Sequence, residues 1–367
     1  MIISLLLFTL CWMLAYFVAK LNYHKSDDAL IASGRIDKSK MPIWAILLIA
    51  SFCAFYNYYI TTTGSSYGSD RENYLQSFEF GRFESIGLMF VMNFLHQYDA
   101  SFNSLLYIST FISVAFVMLA YRYSRDANPH TVLLFFMSPY VFQTFTALKQ
   151  CYTTAFATLL IMLLMQKKSL VKEVICIILI IVSCLFHSAG YLLIIIYALI
   201  RLDYKITNIP KALFYACVIV IFFKPLMLQI ADLAFGFLPY LANKIYEYFG
   251  EKGMEAERGV IVVLKGLPYF YITFIAIKYR KKLRICVKDY DKYMLISLIG
   301  SIFYLATVYN VWMRRATDLL TFTIIVFWTQ ILNSVPNAKE KRVIEISLML
   351  LFTYRWLIMI YLNFGTF

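Results

Sequence analysis

The residues with the clearest chemical potential are cations placed where an apolar sequence has little use for them. Arg314 and Arg315 stand side by side just ahead of the apolar stretch 316–334. Lys149 opens a second such stretch, 148–166. Arg258 precedes a third, 259–277, and Lys265 lies about two helical turns inside it. Arg355 sits within a fourth, 343–362. A charge inside a membrane-spanning helix costs roughly 2.5–3.5 kcal/mol on insertion scales. Several of them at one depth make sense around a shared anion or a wet cavity. Arginine suits phosphate, because its planar fork donates two parallel hydrogen bonds. The competing reading is snorkelling to lipid headgroups, or pairing with acids such as Glu257 and Asp318.

Two further groups could move protons. Tyr67-Gly68-Ser69-Asp70-Arg71-Glu72-Asn73-Tyr74 packs acids, an amide and aromatics into one polar segment. Asp70 or Glu72 could accept a proton from a sugar hydroxyl or hydrogen-bond a sugar, and Tyr67 and Tyr74 offer stacking faces. Tyr58 and Tyr59, just upstream, add to the aromatic set. A solvated helix start capped by Ser69 or Asp70, and an interfacial aromatic belt, are the plainer alternatives. His187 is the one histidine inside an apolar region, where two apolar stretches meet. There it could act as general base, hold a phosphate, or simply bridge two helices. His24, His96 and His130 are scattered, so a multi-histidine metal site has no support. No P-loop, HExxH or GxSxG stands in suitable context, and the sequence implies no metal and no cofactor.

The elements that must position these residues are apolar helices. The 367 residues are 61% hydrophobic with a mean hydropathy of +0.70, and the apolar runs approach 20 residues. That is too long for barrel strands and too frequent for a soluble core. The expected fold is all-α: one integral membrane domain over 1–367 with about twelve transmembrane helices. These are 1–19, 42–60, 102–121, 129–144, 148–166, 172–186, 188–201, 211–224, 259–277, 293–309, 316–334 and 343–362. The first, followed rather than preceded by cations, reads as a retained span and not a cleaved signal. The net charge of +13 is spread over loops flanking apolar runs, which argues against nucleic acid as a partner. Lys and Arg crowd alternate loops, among them Arg122, Lys167, Arg201, Lys278 to Arg284 and Lys339 to Arg342. By the positive-inside rule those loops are cytoplasmic. The candidate site residues then share the outer face. Two external segments are long, 61–101 and 225–258. The first includes Ile86–Leu95, which is too short to span and fits an interfacial helix. None of the seven cysteines forms a CxxC pair, and most lie in apolar runs as small buried residues.

In this order the motifs resemble the Wzy-type polysaccharide polymerases, in particular their EpsG-like branch. Gly68, Asp70 and Tyr74 match a Gly-x-Asp-x-x-x-Tyr after the second span. Lys149-Gln150 stands where the family has Arg-Gln, and His187-Ser188 matches a His-Ser or His-Pro pair. Arg314 or Arg315 matches a late-span arginine. The similarity covers roughly residues 50 to 330. Lysine at 149 and Asp318-Leu319-Leu320 after the late arginine depart from the pattern.

The resemblance implies a bacterial multi-pass glycosyltransferase of the inner (plasma) membrane, active on the periplasmic or outer side. It implies polymerisation of undecaprenyl-diphosphate-linked repeat units into O-antigen, capsule or exopolysaccharide, lipopolysaccharide biosynthesis included. Donor and acceptor glycans and the lipid bilayer are then its partners, with a chain-length regulator protein a further one. Arg314, Arg315, Lys149, Arg355, Arg258 and Lys265 would hold the diphosphate, while Asp70, His187 or Glu72 serves the acid–base step. Tyr67, Tyr74 and Gln150 would face sugar. A flippase or transporter for the same lipid-linked sugar remains the alternative, as does a glycan ligase or acyltransferase.

Overall fold

The computed structural model describes residues 2–21, 41–62, 69–82, 84–124, 129–136, 138, 147–202, 228–233, 239, 242–243, 246, 259–305 and 313–364. Among these residues the structure is helical throughout, with no strand. The helices are α1 (Ile2–Leu21), α2 (Ile43–Thr62), α3 (Ser69–Phe80), α4 (Ile86–His96), α5 (Phe102–Tyr123) and α6 (Pro129–Phe136). Then come α7 (Leu148–Leu164), α8 (Leu170–Phe186), a 3₁₀ turn (Ser188–Tyr191) and α9 (Leu192–Arg201). The last part of the chain forms α10 (Gly259–Lys278), α11 (Arg280–Cys286), α12 (Tyr290–Leu305), α13 (Met313–Ser334) and α14 (Ala338–Phe364). The expected span 211–224 lies outside the described residues.

Two helices among the described residues are both long and apolar enough to cross a bilayer: Phe102–Tyr123 and Arg315–Ser334. This falls short of the twelve expected. The reason is partly length: α7 and α8 have 17 residues each, and α9 has 10. An exposed aliphatic face still marks the bundle. Along α8, Val174, Ile178 and Ile181 are about half exposed at 48%, 52% and 54%. They continue a row with Leu170, Val171, Ile175, Ile177 and Leu185. Water penalises such a continuous apolar strip, whereas lipid chains do not.

The helices alternate in direction, and their ends sort into two levels. At one level Arg122 Nη1 donates to Met41 O, tying the end of α5 to the start of α2. Gln166 Nε2 donates to Tyr123 O, and Arg201 meets both Glu173 and Leu164 O. The Tyr290 hydroxyl donates to Ala276 O, and Lys278 pairs with Glu340 at 2.8 Å. The ends of α5, α7, α9 and α10 therefore lie with the starts of α2, α8, α12 and α14. The cationic residues Arg122, Lys167, Arg201, Lys278 and Lys339 gather there, as the charge pattern of the loops requires of one face.

α7 and α13 are the innermost helices. Every residue of α7 except Lys149 is buried, and α13 is buried nearly throughout. A helix apolar on all sides belongs at the centre of a bundle. Small and hydroxylated residues let neighbours approach closely. Tyr152 of α7 donates to Ser109 of α5 at 3.0 Å, and Thr317 of α13 donates to Gly300 O of α12 at 2.9 Å. A β-carbon at Gly300 would come within 2.7 Å of Ile324 Cδ1, so glycine lets α12 lie close against α13 without moving that side chain. Tyr269 of α10 and Thr321 share a further buried hydrogen bond at 3.0 Å.

The described residues of the first long segment, 61–101, include two short helices, α3 and α4, at the level opposite the basic loops. α4 spans Ile86–His96, matching the short apolar run read from sequence. It buries Gly87, Leu88, Met92 and Leu95 and exposes Ile86, Phe90 and Phe94. That division suits a helix lying in the membrane interface. His96 stacks on Phe78 and its Nε2 lies 2.9 Å from Phe78 O, which joins α4 to α3. The second segment is largely outside the described residues; within it the Tyr246 hydroxyl donates to Asp232.

Candidate functional site

The two central helices deliver the site. Lys149 lies in the first turn of α7 and Arg315 in the first turn of α13. Neither first turn carries an acid. A helix N-terminus already has partial positive charge, so a cation there is unfavourable unless an anion answers it. Both N-termini open into one cavity of about 130 Å³. Its walls are Asn73, Tyr74, Glu84, Ala147, Lys149, Gln150, His187 and Arg315.

His187 reaches the cavity because the chain turns a corner at it. α8 ends at Phe186, and His187 adopts an extended conformation that stops the helix. Its Nδ1 then accepts from Ala189 N at 3.0 Å and caps the following 3₁₀ turn. Gly190 lies against the backbone of Ser183 and Cys184, where a β-carbon would come within 2.6 Å of Ser183 C. The corner is therefore tight, and it fixes the ring. His187 Nε2 lies 3.3 Å from Arg315 Nη1.

The protonation of this ring follows from its contacts. His187 is in the turn between α8 and α9, outside both helices. Burial first, then the charges of Arg315 and Lys149, push its pKa down to about 3 from the ordinary value of 6.5. The ring is thus neutral at pH 7 and has one N–H. With Nδ1 accepting from Ala189, that hydrogen is on Nε2. Nε2–H and the Arg315 guanidinium are then two donors side by side at the cavity wall, an arrangement that a shared acceptor oxygen completes.

Lys149 is held from two sides. Its Nζ pairs with Glu84 Oε2 at 2.6 Å and lies 5.6 Å from the centre of the Tyr74 ring. Glu84 Oε1 accepts from Ser77 Oγ of α3 at 3.0 Å. Gln150 Nε2 donates to Arg315 O and to Asp318 Oδ2, each at 3.3 Å. The amide thus braces the start of α13 against α7.

The structure brings together five residues singled out from sequence: Tyr74, Lys149, Gln150, His187 and Arg315. Tyr74 and Gln150 are 5% and 2% exposed, so both support cations more than they offer a face to sugar. Glu72 is exposed on α3 and accepts from Gln76 at 3.4 Å, away from the cavity lining. Asp70, Lys265, Arg314 and Arg355 lie in described helices, but their side chains are outside the described residues; so are Tyr67 and Arg258 altogether. Asn73, the amide of the Tyr67–Tyr74 segment, also lines the cavity, and Glu84 is an addition that sequence reasoning missed. Glu84 is an ordinary acid beside the short apolar run Ile86–Leu95, and no spacing links it to Lys149, 65 residues away. Among the described residues no three His, Cys, Asp or Glu side chains group as metal ligands.

The EpsG family model matches residues 43–366, nearly the whole chain. This protein belongs to the EpsG family. The assignment agrees with the Wzy-type, EpsG-like resemblance read from Gly68, Asp70, Tyr74, Lys149, His187 and Arg315. It carries a general polymerase-type role in lipid-linked glycan biosynthesis. No curated protein and no solved structure matches the chain. In this chain two cationic helix starts, one imidazole N–H and one carboxylate surround a single cavity.

Proposed function

We propose that this EpsG-family protein joins undecaprenyl-diphosphate-linked repeat units into O-antigen, capsule or exopolysaccharide at the outer face of the bacterial plasma membrane. The observation that carries the reading is the convergence of Lys149 and Arg315, from the two central helix starts, with His187 Nε2–H on one cavity. In the proposed arrangement about twelve helices cross the bilayer and the basic loops face the cytoplasm. The cavity, at the opposite level, then opens to the outside.

In this mechanism Arg315 and His187 donate to the diphosphate of the donor glycan, with Arg314 and Lys149 beside them. In the same scheme Arg355, Arg258 and Lys265 are further candidates for the diphosphate. As the bond from the anomeric carbon to the phosphate oxygen breaks, charge builds on the departing diphosphate, and these groups stabilise it in place. A hydroxyl of the acceptor unit attacks the anomeric carbon and gives up its proton. His187 is a donor in this scheme and not the base, because Nδ1 is engaged and Nε2 already carries hydrogen. The base is a carboxylate near the cavity, and Asp70, at the start of α3, is the candidate that the family pattern supplies. In this scheme Asn73 and Tyr67 contact the sugars, while Tyr74 backs Lys149.

The test is glycan analysis of a deletion strain. A polymerase deletion leaves glycan capped with single repeat units. Accumulation of the unit on the cytoplasmic leaflet would instead assign a flippase, and full-length polymer left unattached to its acceptor would assign a ligase.

A further inference from the structure

We infer that Glu84 is the carboxylate that takes the proton from the acceptor hydroxyl, and that its ion pair with Lys149 links this proton transfer to departure of the diphosphate. The inference rests on the polymerase reading and deepens it. Glu84 sits in the link between α3 and α4, two residues ahead of α4, and lines the cavity together with His187 and Arg315. Its side chain is 13% exposed, and its oxygens are placed by Lys149 Nζ at 2.6 Å and Ser77 Oγ at 3.0 Å. Each carboxylate oxygen has two lone pairs, so both retain room for a hydroxyl proton.

A carboxylate in the wall of a diphosphate site repels the ligand, and its presence needs a chemical reason. Taking a proton supplies one. The acceptor O–H bond breaks and its hydrogen bonds to a Glu84 oxygen. The freed oxygen forms the new bond to the anomeric carbon, and the carbon–phosphate-oxygen bond breaks with its electron pair leaving on the diphosphate. Glu84 is now neutral, so its hold on Lys149 weakens. The ammonium charge becomes available to the diphosphate as the negative charge there grows. The proton later returns to water through the cavity mouth. The other described groups do not fit this role: His187 has its hydrogen on the nitrogen that faces Arg315, and Glu72 is bonded to Gln76 away from the cavity lining.

The experiment uses purified full-length protein and the lipid-linked repeat unit extracted from the deletion strain, with kcat and donor KM measured separately. Wild-type protein must form polymer; if a well-folded preparation does not, the polymerase reading itself fails and Glu84 loses its role with it. With wild-type polymer formed, Glu84→Gln is expected to lower kcat about 10²–10⁴-fold, the usual contribution of a general base, with donor KM unchanged or lower. Glu84→Asp, which keeps the carboxylate, retains more turnover than Glu84→Gln. Formate added to Glu84→Ala restores part of it. A kcat within about threefold of wild type in Glu84→Gln overturns the inference. So does a loss confined to donor KM with no rescue by formate, which would make Glu84 a positioning residue for Lys149. Loss of kcat in Asp70→Asn but not in Glu84→Gln would move the base to Asp70.

Discussion

His187 Nε2 and Arg315 Nη1 meet at 3.3 Å across 128 residues of sequence, and both are donors. Two donors in contact gain little from each other. Their juxtaposition is favourable when an oxygen with two lone pairs sits between them, as on a phosphate.

Arg315→Ala should abolish polymer while the protein stays in the membrane. Loss of a charge-assisted contact removes about 1.5–3 kcal/mol, a fall of roughly 10- to 150-fold in kcat/KM. Arg315→Lys should recover part of the activity, since charge is kept and the fork is lost. The readouts are polymer length on gels and kcat/KM in purified protein. Normal long chains from Arg315→Ala would remove this residue from diphosphate binding.

His187→Gln should keep more activity than His187→Ala, because the amide can still present an N–H to the shared acceptor. The pH dependence has a definite sign. The folded-state pKa is about 3 and the ordinary value 6.5, so between them the unfolded chain binds more protons. The stabilisation from the neutral ring is complete above 6.5 and is lost as pH falls towards about 3. Thermal melts of wild type should therefore drop in this window more steeply than those of His187→Gln. Equal slopes would mean the ring is charged in the folded protein.

Gly190→Ala tests the corner. The added β-carbon would lie 2.6 Å from Ser183 C, and backbone cannot step aside as a side-chain tip can. Overpacking of this kind costs about 1–3 kcal/mol. The melting temperature should fall, and polymer synthesis should fall further than the melt alone explains, since His187 moves away from Arg315. Wild-type polymer at a lowered melting temperature would separate the corner from function.

Orientation is tested with thiols. Cys286 is exposed in α11, at the level of the basic loops. An impermeant maleimide should leave it unlabelled in intact cells and label it after permeabilisation. A cysteine at Asn73, in a protein with Cys286 replaced, should label in intact cells. The reverse pattern would turn the whole bundle over and place the cavity in the cytoplasm.

Much of the site was legible in the sequence because each of its cations breaks a local rule. Lys149 and Arg315 stand at the start of apolar helices, where neither lipid nor the helix dipole favours them. His187 interrupts an apolar run. Alternating loop charge also told which helix ends lie together, since Arg122, Arg201 and Lys278 do gather at one level. Glu84 was not legible. An acid beside a short apolar helix is ordinary, and only the fold carries it across to Lys149. Tyr74 and Gln150 were found as members of the site, but their direction was hidden. Whether an aromatic or amide faces the cavity or the neighbouring helix depends on packing that no spacing records. Among the described residues fewer helices than expected are both long and apolar enough to span, partly because a 3₁₀ turn takes the first residues of 188–201 and leaves α9 with 10.

The separation of the two central helices along the chain has a consequence for biogenesis. A ribosome feeding this polypeptide into the membrane releases Glu84 and Lys149 well before Arg315, 166 residues after Lys149, is translated. During that interval the ammonium already has its carboxylate partner, so the early half can settle without an unanswered charge. On the proposed diphosphate role, the binding site is incomplete until the last third of the chain arrives. On that same proposal, an abandoned, half-made chain lacks the arginine with which to hold a carrier lipid.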